Sequence, residues 1–318
     1  MKATLILAAA LLAAPALAQQ AEAPAAPSPG EIVSAAPLSE WMAIAPEDLL
    51  VMDLAPDARG KARRVVIQLM PPPFSQPWVA NIRTLAKAQW WDGLAIVRSQ
   101  DNYVVQWGDP DGEDAAKAKA LPKGMQPTSE SDYVAPWAVA ALAPPPAGVT
   151  FDARALPDPF ARQAGVHKGW AIADNALEAW PVHCYGSVGV GRGMSPDAGT
   201  GAELYSVIGH APRHLDRNIA VVGRVIEGIE HLSTLPRGTG PLGFYETPEE
   251  RTGIAAIRLG SDVEGLPAYQ YLSTESDTFA RYAEARANRR DPFFIVLAGG
   301  ADVCNIPVPM RQVPASEG

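Results

Sequence analysis

Proline interrupts this chain 31 times in 318 residues, and the prolines cluster in the connections between short apolar runs. Each one fixes φ and removes a backbone donor, so a chain punctuated this way cannot be built mainly from long helices. Short strands joined by long ordered loops are what remain. Lys61 to Met70 fits that reading, with Val65, Ile67 and Leu69 alternating against Arg64, Val66 and Gln68. Pro71-Pro72-Pro73 ends it. The pattern then predicts a helix with Ser75 as N-cap, Pro77 in the first turn, and Val79, Ile82, Leu85 and Ala86 on its apolar face.

Asp92-Gly93 reads as a turn, and Leu94 to Arg98 and Tyr103 to Trp107 as paired strands around Ser99 to Asn102. Val182 to Val190, Leu204 to Ile208, Ile219 to Val225 and Ile254 to Leu259 add further strands. Helices are expected at Glu227 to Leu235 and Ser276 to Asn288, and edge strands at Phe293 to Val296 and Val303 to Val308. Many short strands with few helices imply a closed or nearly closed antiparallel barrel, its ends covered by the two better helices. Residues 112 to 182 carry Pro144-Pro145-Pro146, Trp137, Trp170 and Trp180 with little periodicity. They are expected to be an insertion covering a sheet edge or one side of a cleft, not a second domain.

The first residues predict export. Lys2 precedes the apolar run Leu5 to Leu12, and Ala16-Leu17-Ala18 offers a signal-peptidase site before Gln19. The run is too short to span a bilayer, so the expected location is periplasmic or secreted, without an integral membrane segment after cleavage. From Gln19 to about Pro37 the chain is nearly all Ala, Pro, Gln, Glu and Ser, a composition expected of a disordered spacer. A net charge of −9 and the absence of a basic run argue against nucleic acid as a partner. Cys184 and Cys304 have no CxxC or Cys/His metal spacing. They could be separately buried thiols, but an oxidising compartment favours a disulfide. His210 and His214 stand four apart with Pro212 between them, which disfavours a metal site. The expected organisation is a signal peptide at 1–18, a spacer at 19–37, a barrel domain at 38–262 and a C-terminal extension at 263–318 packed on the barrel.

The most informative stretch runs from Arg98 to Asp109. Arg98 is followed at fixed spacing by aromatic Tyr103, apolar Val104, Gln106 and Asp109. Upstream stand Asn81 and Trp91-Asp92-Gly93. Downstream come Gly186-Ser187-Val188-Gly189-Val190, Glu203-Leu204-Tyr205-Ser206, His214-Leu215-Asp216, Val222-Gly223-Arg224-Val225 and Ile226-Glu227-Gly228. In order and spacing these blocks resemble the cyclophilin-type peptidyl-prolyl cis-trans isomerases, over about Leu49 to Leu235. The resemblance implies a mainly β fold, a closed eight-stranded antiparallel barrel capped by two helices. It implies isomerisation of X-Pro bonds in proline-containing segments of exported proteins, with no cofactor and no metal.

It also implies roles. Arg98 would hydrogen-bond the rotating amide and Gln106 would orient it, while Tyr103, Val104, Gly191, Glu203, Tyr205, His214 and Leu215 would contact substrate. The chain departs from the family's usual residues at Tyr205 (Phe), Glu203 (Gln), Gly191 (Ala), Arg192 (Asn) and Ile219 (His). Glu203, on a strand expected to neighbour Arg98, is predicted to meet its guanidinium. An alternative of another class keeps the cleft and drops the turnover, leaving a proline-peptide-binding, chaperone-like module of the cell envelope.

Overall fold

The computed structural model describes residues 25–140 and 152–314. The signal peptide expected at 1–18 and the triple proline at 144–146 lie outside them. The N-terminal part contains α1 (Pro29–Ser34), β1 (Trp41–Ile44), β2 (Leu49–Leu54), β3 (Arg63–Leu69), α2 (Gln76–Lys87), β4 (Ala95–Ser99) and β5 (Val104–Gly108). The insertion follows with β6 (Ala135–Pro136), α3 (Trp137–Ala140), β7 (Gln163–His167), β8 (Trp170–Asp174) and β9 (Glu178–Pro181). Then come β10 (Ser187–Val190), β11 (Leu204–Val207), β12 (Val221–Glu227), α4 (Glu230–Ser233) and β13 (Thr252–Leu259). The extension supplies β14 (Tyr269–Leu272), α5 (Asp277–Ala287) and β15 (Met310–Gln312).

Eight strands close a barrel in the order β10-β11-β5-β4-β13-β2-β3-β12. Its interior is filled by Leu50, Met52, Ile67, Val105, Trp107 and Leu204, with Trp78, Ile82 and Leu85 of α2 closing one end. β3 alternates as the sequence predicts only at its start. From Val65 to Leu69 both faces are buried, because Val66 packs outward against Ile44, Leu49 and Tyr269. That outer cover is a three-stranded sheet, β1-β14-β15.

Several expectations change on inspection. Ser75 precedes α2 but sits at φ +55 and its side chain makes no capping bond. The helix expected at Glu227 to Leu235 shrinks to one turn, since β12 runs on to Glu227 and Gly228 turns at φ +83, where a Cβ would fall 2.0 Å from Arg64 O. Phe293 to Val296 is not a strand, and at Val303 a 3-10 turn replaces one, with β15 starting only at Met310. The part of the spacer that is described is ordered: Ser28 and Glu31 form a reciprocal capping box on α1. Ile32 and Val33 then pack on a second core.

That second core explains the insertion. β6-β9-β8-β7 form a sheet of their own, and Val166, Trp180 and Val182 from it pack with Leu272, Phe279, Tyr282, Val303 and Ile306 of the extension. Insertion and extension therefore stabilise each other, burying apolar surface neither could cover alone. Cys184 and Cys304 are bonded across this seam, with Cα atoms 5.1 Å apart.

Candidate active site

β4 and β5 run antiparallel with Arg98 opposite Gln106, and β5 places Gln106 opposite Tyr205 of β11. These three side chains therefore line up across adjacent strands on the outer face of the barrel. A bulge between Ile96 and Arg98 re-aims the arginine at the end of its strand. The tight turn that follows, with Asn102 at φ +49, swings Tyr103 over the same face. Asn102 Oδ1 accepts from His210 N at 2.9 Å, fixing that turn to the far loop.

Val104, Tyr205 and Val207 form a small apolar floor, with Tyr103, Leu215 and Ile219 packed against it. Above it opens a cavity of about 360 Å³ whose lining includes Arg98, Gln106, Gly191, Arg192, Glu203 and Phe244. Of the residues expected to contact substrate, Tyr103, Val104, Gly191, Glu203, Tyr205 and Leu215 all line it. His214 does not. The 3-10 turn Arg213–Leu215 sends Leu215 inward and leaves His214 stacked on Tyr103, ring centroids 6.2 Å apart.

The cavity's opposite wall, residues 191 to 203, hangs from α2. Trp78 Nε1 donates to Ala198 O and Gly199 O at 3.1 and 2.9 Å. Asn81 Nδ2 donates to Gln126 O and Thr200 O, both at 3.0 Å, and Trp91 Nε1 donates to Ala202 O at 2.8 Å. Buried, hydrogen-bonded side chains thus hold a loop that has little regular structure. Arg192 donates to Gly193 O of its own loop and to Asn218 O of the segment that precedes β12.

Arg98 is half-buried, and its guanidinium faces no carboxylate among the described residues; burial lowers its pKa without removing its charge. Nε donates to Leu242 O at 2.7 Å, Nη1 to Gln106 Oε1 at 3.4 Å, and Nη2 to Gln100 Oε1. The rings of Tyr103 and Phe244 flank it at 5.5 and 5.2 Å. Leu242 and Phe244 were not singled out in the sequence. The turn-rich stretch Arg237 to Tyr245 was the available signal for a loop there, but its contact with β4 is purely tertiary.

Glu203 does not meet Arg98. Its Oε2 accepts from Gln106 Nε2 at 2.8 Å, so Gln106 stands between the acid and the guanidinium with one end on each. Burial pushes the Glu203 carboxyl up to about 7, a rise opposed by the Gln106 bond and reinforced by the negative charges of Glu113 and Asp109.

A buried polar chain backs the floor. Tyr205 Oη lies 2.9 Å from His183 Nε2, and His183 Nδ1 lies 2.9 Å from Asp216 Oδ1. Arg213 donates from Nε to Asp216 Oδ2 at 2.7 Å and from Nη1 to Asp158 Oδ2 at 2.6 Å. The hydroxyl that Tyr205 adds therefore has a partner, and burial holds its phenol well above the usual range. Gly189 makes room for it, since a Cβ there would fall 2.3 Å from Tyr205 Oη. Among the described residues no group of three or more His, Cys, Asp or Glu could hold a metal ion.

The barrel thus carries on its outer face an apolar pocket beside an arginine that has no carboxylate partner among the described residues. Residues 62–258, more than half of the chain, match the family "Cyclophilin type peptidyl-prolyl cis-trans isomerase/CLD", and the chain belongs to that family. No curated protein matches it. Among solved structures it is similar to the cyclophilin AquaCyp293 from Hirschia baltica, at 20% identity and TM-score 0.59, over 85% of this chain and 92% of that one. A cyclophilin type peptidyl-prolyl cis-trans isomerase from Cryptosporidium parvum matches at 12% identity and TM-score 0.36, over 66% of this chain and 98% of its own.

Proposed function

We propose that this chain isomerises X-Pro bonds of exported proteins in the periplasm or as a secreted protein, with Arg98 as the catalytic residue. The observation that carries the reading is the charged, carboxylate-free guanidinium of Arg98 at the edge of an apolar floor. The barrier to prolyl rotation, about 18–20 kcal/mol, arises from amide resonance. No nucleophile or proton donor is required. A guanidinium N–H placed on the amide favours the twisted state in which resonance is lost. Tyr103, Val104, Tyr205 and Leu215 hold the proline ring while the other side of the bond turns. Gln106 orients Arg98 from the opposite strand.

An NMR exchange or protease-coupled assay on a Pro-containing peptide tests this. The expected result is catalysis by the mature chain and its loss in Arg98→Ala, with melting temperature retained. Equal rates with and without protein would refute it. Export is tested by N-terminal sequencing of protein from the cell envelope, expected to begin at Gln19; an intact Met1 would refute cleavage.

One observation favours a second reading, a binding module without turnover. All three nitrogens of Arg98 already donate to protein oxygens, those of Leu242, Gln106 and Gln100. Saturable peptide binding without rate enhancement would select that reading.

A further inference from the structure

A second guanidinium in this protein is held as Arg98 is held. Arg224 lies on β12, opposite Ser187 of β10 and Gln68 of β3. Its Nε and Nη2 donate to Gln68 Oε1 at 3.0 and 2.7 Å, and Nη1 donates to Gly169 O. The rings of Trp170 and Tyr271 flank it at 4.3 and 5.9 Å. A glutamine oxygen, a backbone carbonyl and two aromatic faces thus anchor both arginines.

Arg224, like Arg98, is half-buried, and its surroundings lower its pKa further. Burial brings its pKa down to about 9, and no carboxylate among the described residues acts to raise it. Arginines are almost never buried unless paired, because an enclosed charge without a counter-ion forfeits its hydration. Arg213 shows the paired arrangement in this same chain, with Asp158 and Asp216 on its guanidinium. The bonds made by Arg224 leave one N–H on each terminal nitrogen without a protein acceptor among the described residues.

The residue keeps some accessible surface and lines a cavity of about 230 Å³. The other walls include Val166, Val182, Val221, Val303 and Ile306. Barrel, insertion and extension all contribute, and the Cys184–Cys304 bond forms part of the lining. A cation set in an apolar wall complements a ligand that joins an anion to an apolar group. Carboxylates fit best, since a guanidinium can give one two parallel N–H bonds. The volume suits one apolar side chain and its carboxylate, and is too small for a long acyl chain.

We infer that this cavity is a second binding site, separate from the Arg98 groove, which takes the C-terminal carboxylate and last apolar side chain of a polypeptide. The test is calorimetric titration of the mature chain with acetyl-glycyl-isoleucine as free acid and as C-terminal amide. Neither probe contains proline, so the outcome does not depend on isomerase activity. Saturable binding of the acid is expected, weaker by about tenfold or more for the amide and for Arg224→Gln, and unchanged in Arg98→Ala. Should Arg224→Gln fold poorly, the Nε–H signal of Arg224 in the unsubstituted protein gives the same answer, shifting with the acid and not with the amide. No binding of the acid, equal affinity for the amide, or loss of binding in Arg98→Ala would overturn the inference.

Discussion

Glu203 offers a stability test whose sign and pH window both follow from its surroundings. Its carboxyl is raised from an ordinary value of 4.5 to about 7, chiefly by burial. The folded state therefore binds the Glu203 proton more tightly than the unfolded state does between those two values. Stability linked to this group is greatest below about pH 4.5, falls as pH rises through that window, and is flat above about 7. At about 1.4 kcal/mol per unit, the full shift corresponds to an upper figure of roughly 3 kcal/mol. A pair with Arg98 in a half-open cleft would have been worth no more than about 1 kcal/mol and would have acted in the opposite direction. Glu203→Gln removes the titration while keeping an oxygen that can accept from Gln106 Nε2. At pH 8 the variant is expected to be more stable than the parent by about 1–3 kcal/mol, and at pH 5, near the foot of the window, by less than about 1 kcal/mol. Urea unfolding of both proteins at the two pH values measures this. A stability difference that stays the same from pH 5 to pH 8 would refute the assignment of a raised, buried carboxyl.

Three further outcomes are expected. Tyr205→Phe removes the hydroxyl from His183 and leaves a buried ring nitrogen without its partner, which should cost about 1–3 kcal/mol in denaturant unfolding. Asp216→Asn removes the buried ion pair with Arg213 and disturbs the hydrogen bond to His183, and should cost about 3–5 kcal/mol by the same measurement; a loss below 1 kcal/mol would mean that the chain is not formed. Denatured, unreduced protein should show no free thiol on titration, and Cys304→Ser should lower stability by up to about 4–5 kcal/mol, since the bond joins residues 120 apart in sequence.

The barrel and the groove were legible in the sequence because their determinants are local. Alternation at Val65, Ile67 and Leu69 gives a strand, and the fixed spacing from Arg98 to Gln106 puts two side chains opposite each other once β4 and β5 pair. What the sequence hid depends on contacts between distant segments. Strands β6 to β9 are short and include Gly165, over which Arg154 O packs too closely for any side chain, so no period-two pattern announces them. α1 appeared as part of a low-complexity spacer, although Ser28 and Glu31 carry a capping signature that could have been read. The partner of Glu203 differs from the expectation because β5, which carries Gln106, lies between β11 and β4, a strand order that the sequence does not display. His183 gave no signal at all. Its role comes from Tyr205 and Asp216, 22 and 33 residues away.

The Cys184–Cys304 bond also makes a covalent ring of the chain between those residues. Four barrel strands, β10 to β13, fall inside it, as does every lining residue of the groove from Gly191 to Phe244. Within that ring the segment at Pro241 and Leu242 is exposed, a natural place for a protease to cut. A single cut there would linearise the ring without releasing a fragment, and the carbonyl of Leu242 could stay beside Arg98. The groove would fall apart only when cutting and reduction coincide, so resistance of the folded protein to proteolysis should be governed by its thiol chemistry as much as by its loops.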